Sequence, residues 1–173
     1  MKTKLLLLIL SLFLAPGVGR AQLLTTLIKQ EAEKSAAALA AGNYAGVLAY
    51  THPRVVELMG GKDAALVALR RSTEEMKSRG IAVLSAKIEA PQAPLKIDTW
   101  FTSIIPLTLT MRVPDGRVVQ ASHLLGISED DGKTWRFLDL GPISDEKLFS
   151  LFPELRGKLS MPPKSAPVHE KGA

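Results

Sequence analysis

Val113-Pro114-Asp115-Gly116-Arg117 and Glu129-Asp130-Asp131-Gly132-Lys133 decide how the C-terminal half of this chain is read. Each stretch places Gly just after residues that favour turns, where a type I hairpin turn uses a left-handed residue, so each predicts a tight turn between antiparallel strands. In that reading Val113 faces Arg117 and Glu129 faces Lys133, which keeps odd residues opposite odd residues through three strands. Leu107, His123 and Asp139 then fall in one line across the sheet.

The strands on either side of the turns carry the expected alternation. Trp100 to Val113 places Phe101, Ser103, Ile105, Leu107, Leu109, Met111 and Val113 on one face and Thr102, Thr108, Thr110 and Arg112 on the other, so the odd face is the buried one. It continues through Val119, Ala121, His123, Leu125 and Ile127, then Trp135, Phe137 and Asp139. Pro106 cannot donate to a ladder and implies an edge or a bulge nearby. Ile81 to Glu89 also has period two and reads as a further strand, followed by a loop at Pro91 and Pro94.

Upstream the period is helical. Leu24, Leu27, Ile28, Ser35, Ala38 and Leu39 recur at three- and four-residue spacings between Gln22 and Ala41, which predicts an amphipathic helix ended by Gly42. Asn43 caps a shorter helix through Tyr50, and His52-Pro53 then forces extended backbone. Arg54 to Met59 reads as a short strand or irregular run. Asp63 is expected to cap a third long helix through Arg79, and a final helix follows Ser144, with Asp145 and Glu146 in its first turn. Pro153 ends that helix.

Residues 1–21 read as an export signal: Lys2 and Lys4, the apolar run Leu5–Leu14, and a small-x-small cleavage site at Gly19-Arg20-Ala21. The run is short of the roughly 20 residues a membrane span needs, so the expectation is an exported protein, periplasmic or secreted after cleavage near Ala21, with no permanent membrane span. The expected domain occupies 22–153, and 154–173 reads as a mobile tail. Removing Lys2, Lys4 and Arg20 from the 22 basic residues leaves 19 against 17 acidic ones, a net +2. No basic face interleaved with aromatics stands out, so nucleic acid is not an expected partner. The chain has no cysteine, so no disulfide framework supports it and packing must suffice.

Helix, short helix, brief extended segment, third helix and then antiparallel strands is an order that resembles the nuclear transport factor 2-like superfamily. Gly42-Asn43-Tyr44, with Val47 and Leu48 on the short helix, and Gly60-Gly61-Lys62-Asp63-Ala64 opening the third carry the resemblance, over about Leu23 to Leu140. It implies an α+β fold with N-terminal helices packed in the concave face of a curved antiparallel sheet, a cone with a pocket. Members include ketosteroid isomerases, polyketide cyclases, dehydratases and non-catalytic binding domains. The acid pair and tyrosine of the isomerases have no match here.

Within such a cone His123 and Asp139 are the candidate polar pair, with apolar walls from Leu107, Trp135, Phe137 and Phe101 and the Tyr50 hydroxyl at the mouth. A carboxylate beside an imidazole favours its protonated form and can relay a proton or orient a carbonyl; the simpler reading is a core histidine with an acceptor. His52, next to Pro53, reads as a loop residue. Three histidines without clustered acids make no metal set, and no nucleophile elbow, P-loop or dinucleotide glycine pattern occurs, so no cofactor is expected.

Ser128-Glu129-Asp130-Asp131-Gly132-Lys133-Thr134-Trp135 also fits S-x-D-x-G-x-T-W, the Asp-box of sialidase-type propellers. One copy cannot build a propeller, so it reads as a hairpin device in which Asp130 binds turn amides. The expected function is non-catalytic binding of a small apolar ligand or association with another protein. A homodimer through an even-face patch of Trp100, Ile104, Val118 and Leu124 is part of that expectation. The alternatives are an isomerase- or dehydratase-like enzyme using His123 backed by Asp139, and a structural partner domain with a filled core.

Overall fold

Pro16 to Ala40 form the first helix, α1, of a computed structural model that describes residues 16–172. The run Leu5–Leu14 of the export reading lies outside the described residues, and Gly19-Arg20-Ala21 is helical. Leu24, Ile28, Ala32 and Ala36 are buried, one per turn of α1, and make the stripe that packs on the sheet. Two of the four are alanines, which lets the helix backbone come close. The ion pairs Lys29–Glu33 and Lys34–Glu31 lie on its exposed side.

Gly42 ends the helix and the Asn43 side chain accepts from the Gly46 amide at 3.0 Å, capping α2 (Tyr44–Tyr50). Pro53–Leu58 is a helix, α3, and this corrects the extended reading of Arg54–Met59. The cause is local: Pro53 occupies the first helical position, where its missing amide costs nothing, and His52 Nδ1 accepts from the Arg54 amide at 3.2 Å. Helix α4 (Lys62–Ser78) has Gly61 at its cap position with no side-chain bond, so Asp63 sits in the first turn rather than capping. There its charge faces the positive end of the helix dipole.

The sheet comprises β1 (Ala82–Ile88), β2 (Leu95–Ile97), β3 (Trp100–Val113), β4 (Gly116–Ser128), β5 (Arg136–Asp139) and β6 (Val168–Lys171). Its order is β1-β3-β4-β5 with every pair antiparallel; β2 pairs with β3 beyond the end of β1, and β6 pairs with the hairpin end of β4. The sheet is strongly curled into a half-barrel with the N-terminal helices against it, the expected α+β cone. Pro106 falls on β3 between the partners of β1 and β2, where the ladder on that side is interrupted.

Both turns form, but each register is one residue away from the expected one. Val113 pairs with Gly116, not Arg117, leaving only Pro114 and Asp115 in the loop. Gly116 belongs to the ladder at φ +147°, and a Cβ there would run into the Glu170 carbonyl of β6. Its glycine is required by that backbone angle and by the neighbouring strand together. At the second hairpin Asp131 (φ 62°) and Gly132 (φ 86°) are both left-handed, and the ladder starts at Ile127 opposite Arg136.

A one-residue slip turns a strand over. The two slips cancel for β5, so Asp139 shares a face with Leu107 as expected. They do not cancel for β4. Ser122 faces Leu107 and Leu124 faces Asp139, while His123, opposite Pro106, points to the other side. The expected line Leu107–His123–Asp139 is therefore corrected to Leu107–Ser122, with Asp139 one step along beside Leu124.

Each face of the sheet is covered. On the concave side Ile28, Ala32 and Ala36 pack with Ile88, Ile105, Leu107, Leu124, Trp135 and Phe137. On the other side Ile104, Leu125, Ile127 and Leu140 pack under α5 (Asp145–Leu151), which Ser144 caps by accepting from the Lys147 amide, and under a 3-10 turn at Pro153–Leu155. Leu148, Phe152 and Leu155 are fully buried there. The expected dimer patch is thus not a free surface: Ile104 is 2% exposed, Trp100 meets Phe152 edge-on at 6.5 Å, and Leu124 belongs to the concave side. The tail beyond Pro153 is not loose either. It buries Leu155, runs across the sheet edge and ends in β6.

Candidate functional site

Ala36 and Leu39 of α1, Val47 and Tyr50 of α2, Val55 of α3 with Met59 just past its end, and Leu69 of α4 close over Ala86, Leu107, Leu109, Leu124 and Phe137 of the sheet around a cavity of about 320 Å³. Ala36 and Ala86 are small residues on facing walls and leave this space unfilled. The volume lies at the lower end of the range for small-molecule sites, and the lining, mostly apolar with few polar groups, is of the kind such sites have. Tyr50 supplies one hydroxyl, with its ring 6.5 Å from that of Phe137. Thr51 bonds back to the Val47 carbonyl at 2.9 Å and offers little.

Asp139 is the charged group on the rim. Its Oδ1 accepts from Ser122 Oγ at 2.8 Å and from the Gly141 amide at 2.9 Å, and no described residue donates to Oδ2. The carboxylate is held in orientation by two bonds and retains a free acceptor.

Of the residues expected at the site, Tyr50, Leu107, Phe137 and Asp139 line this cavity. Trp135 and Phe101 do not. Trp135 is fully buried in the core with its Nε1 donating to the Gly132 carbonyl, and Phe101 packs beside the core with the Arg20 guanidinium and Lys96 ammonium over its ring. His123 lines a separate outer cleft, and no hydrogen bond or ion pair joins it to Asp139. Ser122 and Leu124 were missed. Their signal was hidden because Leu124-Leu125-Gly126-Ile127 is buried on both faces, and a strand buried on both faces does not alternate.

His52 is the histidine the structure singles out. It is 2% exposed, its ring meets Phe152 edge-on at 4.8 Å, and its backbone amide donates to the Phe137 carbonyl. Because Nδ1 accepts from Arg54, the proton of the neutral ring sits on Nε2, which has no hydrogen-bond partner; the nearest carboxylate oxygen, Glu129 Oε1, is 3.7 Å away. Burial, with the Arg54 and Arg136 guanidiniums adding to it, pushes its pKa down to about 4. A buried neutral imidazole, sealed under Phe152 and not facing the cavity, is a structural group.

Arg54 binds Glu154 through two bonds of 3.0 and 3.1 Å, donates to the Leu151 carbonyl and lies over the rings of Trp100 and Phe152. This pair raises the pKa of Arg54 and lowers that of Glu154, and it ties α3 to the C-terminal segment.

The Asp-box reads as expected. Asp130 accepts from the Thr134 amide and hydroxyl and from Ser128 Oγ, while Ser128 Oγ also accepts from the Gly132 amide. Burial works to raise the Asp130 pKa, but these bonds outweigh it and hold it at about 2. All of its acceptor capacity is directed into the turn.

Among the described residues no group of three or more His, Asp or Glu is placed to hold a metal ion, and no helix is long and apolar enough to cross a membrane. Comparison with protein-family models, curated proteins and solved structures finds no match.

Proposed function

We propose that the chain is a non-catalytic domain that holds a small apolar ligand in the cavity between α1–α4 and the concave face of the sheet. The observation that carries this reading is the cavity itself: about 320 Å³ of space with apolar walls and a single carboxylate at its rim. The resemblance to the nuclear transport factor 2-like superfamily, many of whose members are binding domains, supports it. Export, on the strength of the basic start and the apolar run Leu5–Leu14, belongs to the same proposal.

The enzyme alternative needed His123 and Asp139 as a couple; they lie on opposite faces of their strands with no hydrogen bond between them, although both border the outer cleft. Ser122 beside Asp139 is no substitute, because a serine nucleophile needs a base stronger than a carboxylate that it already hydrogen-bonds.

The experiment is a titration with naphthalene, an apolar probe without a polar group, followed by its fluorescence. Wild-type protein is expected to bind it saturably with one site. Ala36→Leu, which extends a side chain into the cavity, is expected to weaken binding about tenfold in protein that circular dichroism shows to be folded. Absence of saturable binding to wild type overturns the reading.

A further inference from the structure

The apolar cavity has an antechamber. A cleft, also of about 320 Å³, lies outside Asp139, between the end of β5, the edge of β4 and the segment Met161–Ser165. Leu109, Asp139 and Pro142 line both spaces, so the two meet at one rim. Their chemistry differs sharply. The inner walls are aliphatic and aromatic, whereas the outer cleft presents Gln120, Ser122, His123 and Asp139.

This opening exists because, on the edge away from β3, β4 outruns the two short strands beside it. β5 pairs with Leu124–Ile127 and β6 with Gly116–Val119, so Gln120–His123 has no strand alongside. Met161–Ser165 crosses that window as a strap held by side-chain bonds rather than by a ladder: Lys164 Nζ to the Gly141 and Ile143 carbonyls at 3.2 and 2.6 Å, and Gln120 Nε2 to the Ser165 carbonyl at 2.9 Å. Pro162 and Pro163 have no amide to donate. Lifting the strap breaks three exposed bonds and no strand pairing, with Met161, packed against the outer core, as its fixed end.

We propose that the two chambers form one site for a small amphiphile with a hydrogen-bond-donating head, an alcohol or amine, and that the strap is its gate. This rests on the cavity reading above and deepens it. The apolar body fills the inner chamber, and the head meets Asp139 at the rim. Asp139 Oδ1 is taken by Ser122 and Gly141 and Oδ2 is free; a carboxylate offers only acceptors, so it takes a donor and repels an anionic head. Lys164 keeps its charge, but its ammonium is turned to the Gly141 and Ile143 carbonyls and forms no ion pair with Asp139. The His123 ring, on the outer side, makes no hydrogen bond with a described residue and is open to a second polar atom of the head.

The test is displacement of bound naphthalene at pH 7.5 by 1-octanol, octylamine and octanoate, which share chain length and differ in head. Octanol and octylamine are expected to displace about tenfold more effectively than octanoate, and Asp139→Asn to reduce that gap to about threefold or less. The wild-type comparison stands even if the variant folds poorly. In stopped-flow exchange, Lys164→Met is expected to raise octanol association and dissociation rates together, leaving the affinity within about twofold. Octanoate displacing as well as octanol overturns the donor head, and exchange rates unchanged by Lys164→Met overturn the gate. Failure of naphthalene itself to bind is a different result, which removes the cavity reading and this proposal with it.

Discussion

Ser122 Oγ donates to Asp139 Oδ1 across 2.8 Å, and that one bond records the register of three strands. Ser122 is there because it faces Leu107, and Asp139 because it faces Leu124. Had both hairpins kept the odd-to-odd pairing, His123 would stand beside Asp139 on the face of Leu107 and the rim would carry an imidazole.

The register can be checked by crosslinking, in a chain without native cysteines. Leu124→Cys with Asp139→Cys puts two thiols on directly opposed positions, whose Cα atoms in an antiparallel pair are roughly 4.5 to 5.5 Å apart. Mild oxidation is expected to close that disulfide in most molecules. His123→Cys with Asp139→Cys, on opposite faces, is expected to stay reduced; efficient closure there contradicts the register.

Removing the arginine that ties α3 to the C-terminal segment is expected to cost more than a surface ion pair. Arg54→Ala loses a bidentate carboxylate, a carbonyl bond and two ring contacts, together about 2 to 3 kcal/mol. Arg54→Lys is expected to recover less than half, because an ammonium cannot reproduce the fork. Urea unfolding monitored at Trp100 and Trp135 measures both.

The buried imidazole makes stability depend on pH. His52 has a pKa of about 4 when folded against the ordinary imidazole value of 6.5, so between those limits the unfolded chain binds the extra proton. Its contribution is fully present above pH about 6.5 and is lost as pH falls towards 4, with a limit of about 3 kcal/mol. The groups around it are Arg54 and Glu57 of α3, Arg136 of β5, Glu129 of the hairpin and Glu154 of the 3-10 turn. Asn at this position keeps a cap acceptor and cannot titrate. Denaturation of wild type and His52→Asn from pH 7 to 4 is therefore expected to show a steeper fall for wild type, and parallel curves would contradict the assignment.

The Asp130 hairpin should resist acid for longer. Its folded pKa of about 2 lies below the ordinary aspartate value of 3.8, so its contribution is present above about pH 3.8 and is lost only as pH falls towards 2. Asp130→Ala strands the Thr134 amide and frees Ser128, and is expected to cost about 2 kcal/mol at pH 7. Thermal unfolding of the variant measures it.

Much of this fold was legible, and the illegible part has a physical cause. Asn43 is legible as a cap, and the helix after Ser144 from its acidic first turn, because that chemistry is local, and the alternation of β3 marks its buried face. The registers were not readable because the two glycines serve distant neighbours as well as their own left-handed backbone, so a turn motif alone does not fix the loop length. Gly116 makes room for the Glu170 carbonyl of β6, and a Cβ on Gly132 would strike the Leu24 side chain of α1. Neither neighbour is visible in a window of five residues. Arg54–Met59 misled because a histidine cap is a weak sequence signal, and the tail misled because Pro and Lys conceal the anchor Leu155. At the site, Asp139 was found only because two slips of one residue cancelled.

The most direct measurement of the central claim is a methyl NMR titration of leucine-labelled protein with naphthalene. Saturable shifts are expected at Leu107, Leu109 and Leu124, which line the cavity, with Leu148 and Leu155 of the opposite core unmoved. Shifts confined to Leu148 and Leu155, or none at any leucine under saturating probe, would contradict a ligand cavity on the concave face.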